Sequence, residues 1–189
     1  MNELISVAAA TELIRRGVPL SLAGPASTLR QLPPGRWIGG TIPYFMVAGG
    51  GVVVEDDRLF ATDLSKAGVE VRFACYGPEE LSRITAEAPD NGFSLTIIPA
   101  GGQALRHFAQ DAAEYPDAFV KPTVGWVSGI HLRDLGHAKP LVFDGQTGQA
   151  HEDGAVVAHV RIADDKLASV EIVNIFEPGD GEVLHFDET

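Results

Sequence analysis

The sequence is poor in the residues that mark several common protein classes. Its 189 residues include a single cysteine, Cys75, so no disulfide can form within the chain. No run of 18 apolar residues occurs, and no basic segment precedes the first apolar residues, so neither a membrane-spanning helix nor a secretory signal is indicated. These absences predict a protein of the bacterial cytoplasm without a membrane span.

Basic residues are also scarce. Lysine and arginine total 14 against 26 aspartate and glutamate residues, which gives a formal net charge of -12. A surface of this charge repels both the phosphate backbone of nucleic acids and anionic lipid surfaces. We therefore expect no nucleic acid and no membrane among the partners of this chain.

The hydrophobic content is sufficient for one core. Apolar residues make up 45% of the chain, and a domain of this length buries roughly 70% of the surface that its unfolded chain exposes. No repeat of fixed period and no low-complexity linker interrupts the sequence. The prediction is a single α/β domain over residues 1–189.

The periodicity of apolar residues changes along the chain. Alternation at 69–75 is typical of a half-buried strand, whereas the spacing at 104–112 is typical of a helix. This order predicts an α/β fold, a layered mixed sheet with flanking helices. After Lys121 strands and turns dominate, which predicts a C-terminal antiparallel meander. Its expected strands cover residues 123–128, 140–143, 155–162, 168–176 and 182–186.

The most unusual stretch is W-I-G-G-T-I-P-Y-F-M at residues 37–46, followed closely by a glycine triplet at 49–51. Glycine inside a strand costs stability, because it packs no side chain and loses the most backbone entropy on ordering. Gly39 and Gly40 are therefore expected where a neighbouring element, a ligand or a partner chain approaches the backbone.

Nucleophile motifs are incomplete. Ser128 stands one residue too late for the G-x-S-x-G elbow, and Thr41 would act as an N-terminal nucleophile only after cleavage behind Gly40. Ser128, His131 and Asp134 are spaced by three, but a catalytic triad is defined by geometry and not by spacing. A hydrolase that uses Thr41 or Ser128 with His131 stays open as the alternative function.

Metal and phosphate motifs are missing as well. The six histidines show none of the spacings that place metal ligands on one face, and no glycine-rich phosphate loop precedes a helix. We expect no divalent metal, and the cofactor stays unknown. His159 shares a strand face with Ala155, Val157 and Arg161, which predicts an edge or surface histidine.

The remaining residues are suited to binding. Aromatic rings supply contact area, while hydroxyl, imidazole and amide groups fix the orientation of a ligand. The leading hypothesis is a non-catalytic small-molecule-binding or sensory module; a self-associating structural domain, and with it a homo-oligomer, stays open. The predicted ligand-binding residues are Trp37, Thr41, Tyr44, Trp126, Ser128, His131 and Asn174.

Two blocks carry a resemblance to known proteins. The first is the block at 37–46, and the second is E-I-V-N-I-F at 171–176 with G-D-G at 179–181. The chain resembles a small uncharacterised bacterial family marked by these blocks. Over about residues 6–100 its order of elements is also loosely similar to the N-terminal part of FIST sensory domains. That resemblance implies sensing of a small molecule and names no ligand.

Overall fold

The computed structural model describes residues 2–55, 57–177, 179, 181, 182 and 185, and it shows a mixed α/β fold. The first half of the chain contains β1 (Asn2–Ser6), α1 (Val7–Arg15), β2 (Leu20–Gly24), α2 (Ala26–Leu29), β3 (Trp37–Thr41), β4 (Tyr44–Val47), β5 (Gly50–Val53) and β6 (Arg58–Asp63). The second half contains β7 (Glu70–Tyr76), α3 (Arg83–Ala86), β8 (Gly92–Pro99), α4 (Gln103–Asp111), β9 (Thr123–Ser128), β10 (Val142–Asp144), β11 (Gln149–His151) and β12 (Ala155–Arg161). The predicted α/β class is confirmed.

The strands form two main sheets and one separate hairpin. The first sheet has the order β1-β6-β2-β3-β10-β11, and the second has the order β7-β12-β8-β9. Within the part of the chain that the structure describes, β4 and β5 pair only with each other. Apolar side chains from both sheets, such as Ile38 of β3 and Ile97 of β8, meet in one buried cluster, so the sheets stack face to face.

Helices cover the outer face of each sheet. Helix α1 contributes Ala10 and Ile14 to a cluster with Leu22 of the first sheet. Helix α4 contributes Ala104 to a cluster with Val157 of the second sheet. The four layers are therefore helix, sheet, sheet and helix, because each sheet is apolar on both of its faces.

The two halves of the chain repeat one topology. In the first half, β6 lies between β1 and β2 and is antiparallel to both, while β2 and β3 are parallel. In the second half, β12 lies in the same way between β7 and β8, while β8 and β9 are parallel. The fold thus contains an internal structural repeat that the sequence does not display.

The C-terminal third is arranged differently from a consecutive meander. Strands β9 and β12 belong to the second sheet, whereas β10 and β11 extend the first sheet beyond β3. The prediction of a strand at 168–176 is wrong, because these residues form no strand in the structure. An alternating apolar pattern is a local signal and cannot supply a neighbouring strand. The strand predicted at 182–186 falls largely outside the described residues.

The close packing predicted for the glycines of β3 is confirmed. A Cβ atom at Gly40 would lie 2.7 Å from Ile97 Cγ2 and 2.8 Å from Trp126 Cη2, both on the second sheet. A Cβ atom at Gly39 would lie 3.0 Å from the backbone oxygen of Leu22. Gly40 therefore sets how closely β3 approaches the second sheet.

We predict that Gly40→Ala lowers the free energy of unfolding by about 1–3 kcal/mol, because the added methyl overpacks the space between the sheets. Gly49→Ala is the matched control, since a Cβ atom there meets nothing within 4 Å. Urea unfolding monitored by circular dichroism measures both variants. A Gly40→Ala protein as stable as the control would refute the close-packing argument.

Candidate functional site

A cavity of about 260 Å³ opens at the carboxyl ends of β2, β3 and β9. Crevices outside the carboxyl ends of parallel strands are the usual binding places in open α/β sheets. Segments far apart in the sequence converge on this one. Its lining residues are Pro25, Ala26, Ser27, Thr41, Ile42, Pro43, Val54, Glu55, Gly129, Ile130, His131, Arg133, Asp134, Ala138 and Lys139.

Thr41 connects segments around the cavity through hydrogen bonds of its backbone and its hydroxyl. The N–H of Gly129, just past β9, donates to the backbone oxygen of Thr41 at 2.7 Å and joins the two sheets at this edge. The Thr41 hydroxyl donates to the backbone oxygen of Leu141 at 3.3 Å and accepts from its N–H at 2.9 Å. The Thr41 hydroxyl therefore uses both its donor and an acceptor position on the backbone of Leu141.

Two contacts join the segment after β9 to the β4–β5 hairpin and to Glu55, which follows it. The Tyr44 hydroxyl accepts the backbone N–H of Leu132 at 2.9 Å, and the Tyr44 ring lies 5.4 Å from the His131 ring. The Arg133 guanidinium contacts the Glu55 carboxylate at 2.8 Å. Val54 and Glu55, which follow the hairpin, and the segment after β9 both line the cavity, and one neutral and one ionic contact hold this side together.

The hydrogen bonds of His131 define its chemistry. Its Nδ1 accepts the backbone N–H of Arg133 at 3.1 Å. In the neutral ring the proton consequently resides on Nε2, which becomes a donor. His131 is thus arranged to donate a hydrogen bond, and its Nδ1 is not free to act as a general base.

The structure brings some of the predicted residues together. Thr41 and His131 line the cavity, Tyr44 packs on His131, and Ser128 directly precedes the lining residue Gly129. The Ser128 hydroxyl is buried and has no hydrogen-bond partner among the described residues. Trp126 does not line this cavity, but its ring packs against the backbone of Gly40, which has no side chain in the way.

Two predicted residues lie elsewhere. Trp37 is buried on the helix side of the first sheet, where its indole N–H donates to the backbone oxygen of Pro33 and its ring stacks on Phe143. Asn174 lies in the exposed C-terminal segment, where its side-chain oxygen accepts the N–H of Phe176. Neither residue is among those that line the cavity.

Sequence reasoning missed the charged residues of the cavity. Glu55 and Lys139 lie in loops and Arg133 lies in a single 3-10 turn at Leu132–Asp134, where no periodicity or motif marks them. The only available signal was their sequence proximity to Thr41 and His131. Lys139 is paired outside the cavity, since its ammonium contacts the Glu152 carboxylate at 2.6 Å.

A second polar cluster surrounds His159. The expectation of an edge or surface histidine is wrong, because β12 lies between two strands and His159 is 3% exposed. Its Nδ1 is 2.9 Å from the Ser94 hydroxyl, and its Nε2 is 2.9 Å from the Tyr76 hydroxyl. The Tyr76 hydroxyl in turn donates to the Glu87 carboxylate at 3.1 Å. Each polar group in this chain of hydrogen bonds therefore has a partner.

Burial dominates the protonation of this cluster. Desolvation, followed by the positive charge of Arg72, lowers the pKa of His159 from 6.5 to about 4. Desolvation and the hydrogen bond to Glu87 raise the pKa of the Tyr76 hydroxyl to about 12. Both groups are consequently neutral near pH 7. The cluster is a set of buried polar groups inside the second sheet, each with a hydrogen-bond partner.

Among the described residues, no group of three or more histidine, cysteine, aspartate or glutamate side chains is placed to hold a metal ion. The same part of the chain contains no helix with both the length and the apolar content needed to cross a membrane.

Comparison with known proteins gives one match. The model of a family described as "Family of unknown function (DUF6976)" matches residues 5–189. No curated protein and no solved structure matches the chain at a significant level.

The pKa of His159 predicts a pH-dependent stability. Between pH 6.5 and 4 the unfolded chain binds a proton that the folded chain does not, so the free energy of unfolding falls as the pH falls. The loss attributable to this histidine reaches about 3 kcal/mol near pH 4. Chemical denaturation at several pH values measures it.

His159→Gln should lose the part of the pH-dependent stability that is due to this histidine. His137→Gln, a change at an exposed histidine, should keep it. Comparison of the two variants removes the contribution of the carboxylates, which both share. Equal pH slopes in the two variants would show that His159 titrates normally in the folded protein.

Proposed function

The chain belongs to DUF6976, a family of unknown function, and we propose that it binds a small metabolite in the cavity at the carboxyl ends of β2, β3 and β9. The observation that carries this proposal is the convergence of four distant loop segments on one cavity with both apolar and charged lining. Small-molecule sites have this composition, in which apolar side chains supply area and a few polar groups fix orientation.

The size of the cavity limits the ligand. Its 260 Å³ correspond to about nine water volumes, which suits a metabolite smaller than a nucleotide. Ile42, Val54 and Ile130 provide apolar wall. The ligand therefore carries a small apolar part.

The donors at the cavity indicate the charge of the ligand. The Arg133 guanidinium and the Nε2–H of His131 both suit a carboxylate, and a guanidinium binds carboxylates through paired hydrogen bonds. The Arg133 guanidinium lies 2.8 Å from the Glu55 carboxylate and 3.9 Å from that of Asp134, so a ligand carboxylate would replace the ion pair with Glu55. We propose a small carboxylate with an apolar part as the ligand class.

The hydrogen bonds favour binding over the hydrolase alternative. The Thr41 hydroxyl is engaged with Leu141, and Nδ1 of His131 is engaged with the backbone of Arg133. A nucleophile needs a hydroxyl within reach of a free base. The contacts of Thr41 and His131 do not support that role, and the Ser128 hydroxyl has no hydrogen bond to His131 or to any other described residue.

A sensory role extends the proposal. It rests on the loose similarity of the element order to FIST domains, namely a helix, a strand, a glycine-containing strand and a hairpin. The helix and the two strands correspond to α1, β2 and β3. The sequence pattern places the hairpin at residues 52–61, whereas in the structure β5 pairs with β4 and β6 pairs with β1 and β2. Within this proposal the ligand is a signal in the cytoplasm, and neither nucleic acid nor membrane takes part.

Thermal-shift screening of small carboxylates tests the binding site. A ligand that binds only the folded chain raises the free energy of unfolding by about 2.7 kcal/mol at a hundredfold excess over its Kd. Gly129→Leu should abolish this shift. A Cβ atom there meets only Ile42 Cδ1, at 3.6 Å, so the larger side chain enters the cavity without a backbone clash.

Two control variants complete the test. Gly49→Leu adds the same side chain at the hairpin turn and should keep the full shift. Arg133→Gln should weaken binding of carboxylates more than Arg106→Gln, which alters an arginine on helix α4. A ligand that shifts wild-type and Gly129→Leu proteins equally binds elsewhere, and the proposed site would then be rejected.

A further inference from the structure

Strand β9 has an open edge. It pairs with β8 on one side, and among the described residues no strand lies on its other side. The backbone oxygen of Pro122 accepts the N–H of Ser94 in β8, and that of Ser128 accepts the N–H of Ala100, just after β8. Because successive backbone groups of a strand point to opposite sides, the N–H and C=O groups of Thr123, Gly125 and Val127 point outward.

The internal repeat shows that this position can receive a strand. In the first sheet the equivalent edge belongs to β3, and β10 pairs there in antiparallel orientation. The place beside β9 has no such occupant among the described residues. An open strand edge is a template for pairing with another chain.

The surface beside this edge is apolar and contains a cavity. Val124 and Val127 are 37% and 46% exposed. A cavity of about 190 Å³ between β9 and α4 is lined in part by Leu105, Phe108 and Trp126. Strand addition uses such cavities as pockets for alternate side chains of the added strand.

Two polar atoms in the same cavity support an occupant. Thr96 and Thr123 are among its lining residues, and their hydroxyls are buried without a hydrogen-bond partner among the described residues. A buried polar group without a partner costs stability. An added strand would bring backbone donors and acceptors to this place.

The chain itself carries a segment that fits this edge. Residues 168–176 have the pattern of a strand, form none, and are nine residues long against the six of β9. Their large apolar side chains are between 51% and 94% exposed, and these residues are Val170, Ile172, Val173, Ile175 and Phe176. An exposed apolar segment of this kind marks an interaction site.

We propose that residues 168–176 of a second copy of this chain add as a strand to the open edge of β9, and that the exchange is reciprocal in a two-fold dimer. Both surfaces are exposed in a single copy, and reciprocal pairing between two copies would cover both. The family match includes the segment, which therefore belongs to the domain. This inference does not depend on the metabolite proposed above.

Sedimentation velocity over a concentration series tests the dimer. Ile172→Asp should raise the dissociation constant about tenfold or more, because it places a charge in the apolar contact. Met46→Asp makes the same charge change at another exposed residue and should leave the dissociation constant close to that of the wild type. Since each copy carries a net charge of -12, dimerisation should strengthen from about 0.05 to 0.5 M NaCl.

A complementation experiment identifies the two surfaces. Val127→Pro removes an outward N–H from the β9 edge and should also give a monomer. Mixed with Ile172→Asp, it should form a heterodimer in native mass spectra, because one protein keeps its segment and the other keeps its edge. Wild-type protein that stays monomeric, or dimers that persist in Ile172→Asp, would overturn the proposal, even if Val127→Pro does not fold.

Discussion

The close approach of β3 to the second sheet at Gly40 is the constraint on which the rest of the structure depends. A side chain at this position would meet Ile97 and Trp126. Without one, the end of β9 comes near enough for Gly129 to donate to Thr41. That bond places the loop after β9 beside the loops after β2 and β3, and the cavity lies between them. The site is thus a consequence of how the sheets pack.

The sequence allowed the local features to be predicted, because they follow from local chemistry. The alternation at 69–75 becomes β7, the helical spacing at 104–112 becomes α4, and the glycines of β3 are closely packed. Pairing between distant strands could not be predicted in this way. The insertion of β12 between β7 and β8 places His159 in the interior, a position that its strand pattern could not reveal.

The candidate site was predictable in part for the same reason. Thr41, Tyr44 and His131 could be predicted from the sequence, because they lie near the unusual glycine-rich block or near strand ends. Glu55 and Arg133 are 78 residues apart in the sequence, and only the folded structure pairs them. Asp153 is a similar case, since its carboxylate accepts the first N–H groups of helix α4 across 49 residues. Trp37 looked like a contact surface and is a core residue.

The two halves of the molecule show how one topology serves two purposes. At the β3 edge, β10 and β11 complete the first sheet and hold Thr41 through Leu141. At the β9 edge the second sheet stays open among the described residues, next to an apolar cavity. The repeat therefore separates a closed edge that shapes the ligand cavity from an open edge available for association.

A crystal structure of the protein with the carboxylate that gives the largest thermal shift tests the central claim most directly. The account predicts electron density for that molecule between Thr41, His131 and Arg133, with its carboxylate against the guanidinium and Glu55 displaced. Density for the molecule at another place on the protein, with the Arg133 to Glu55 ion pair intact, would contradict the account.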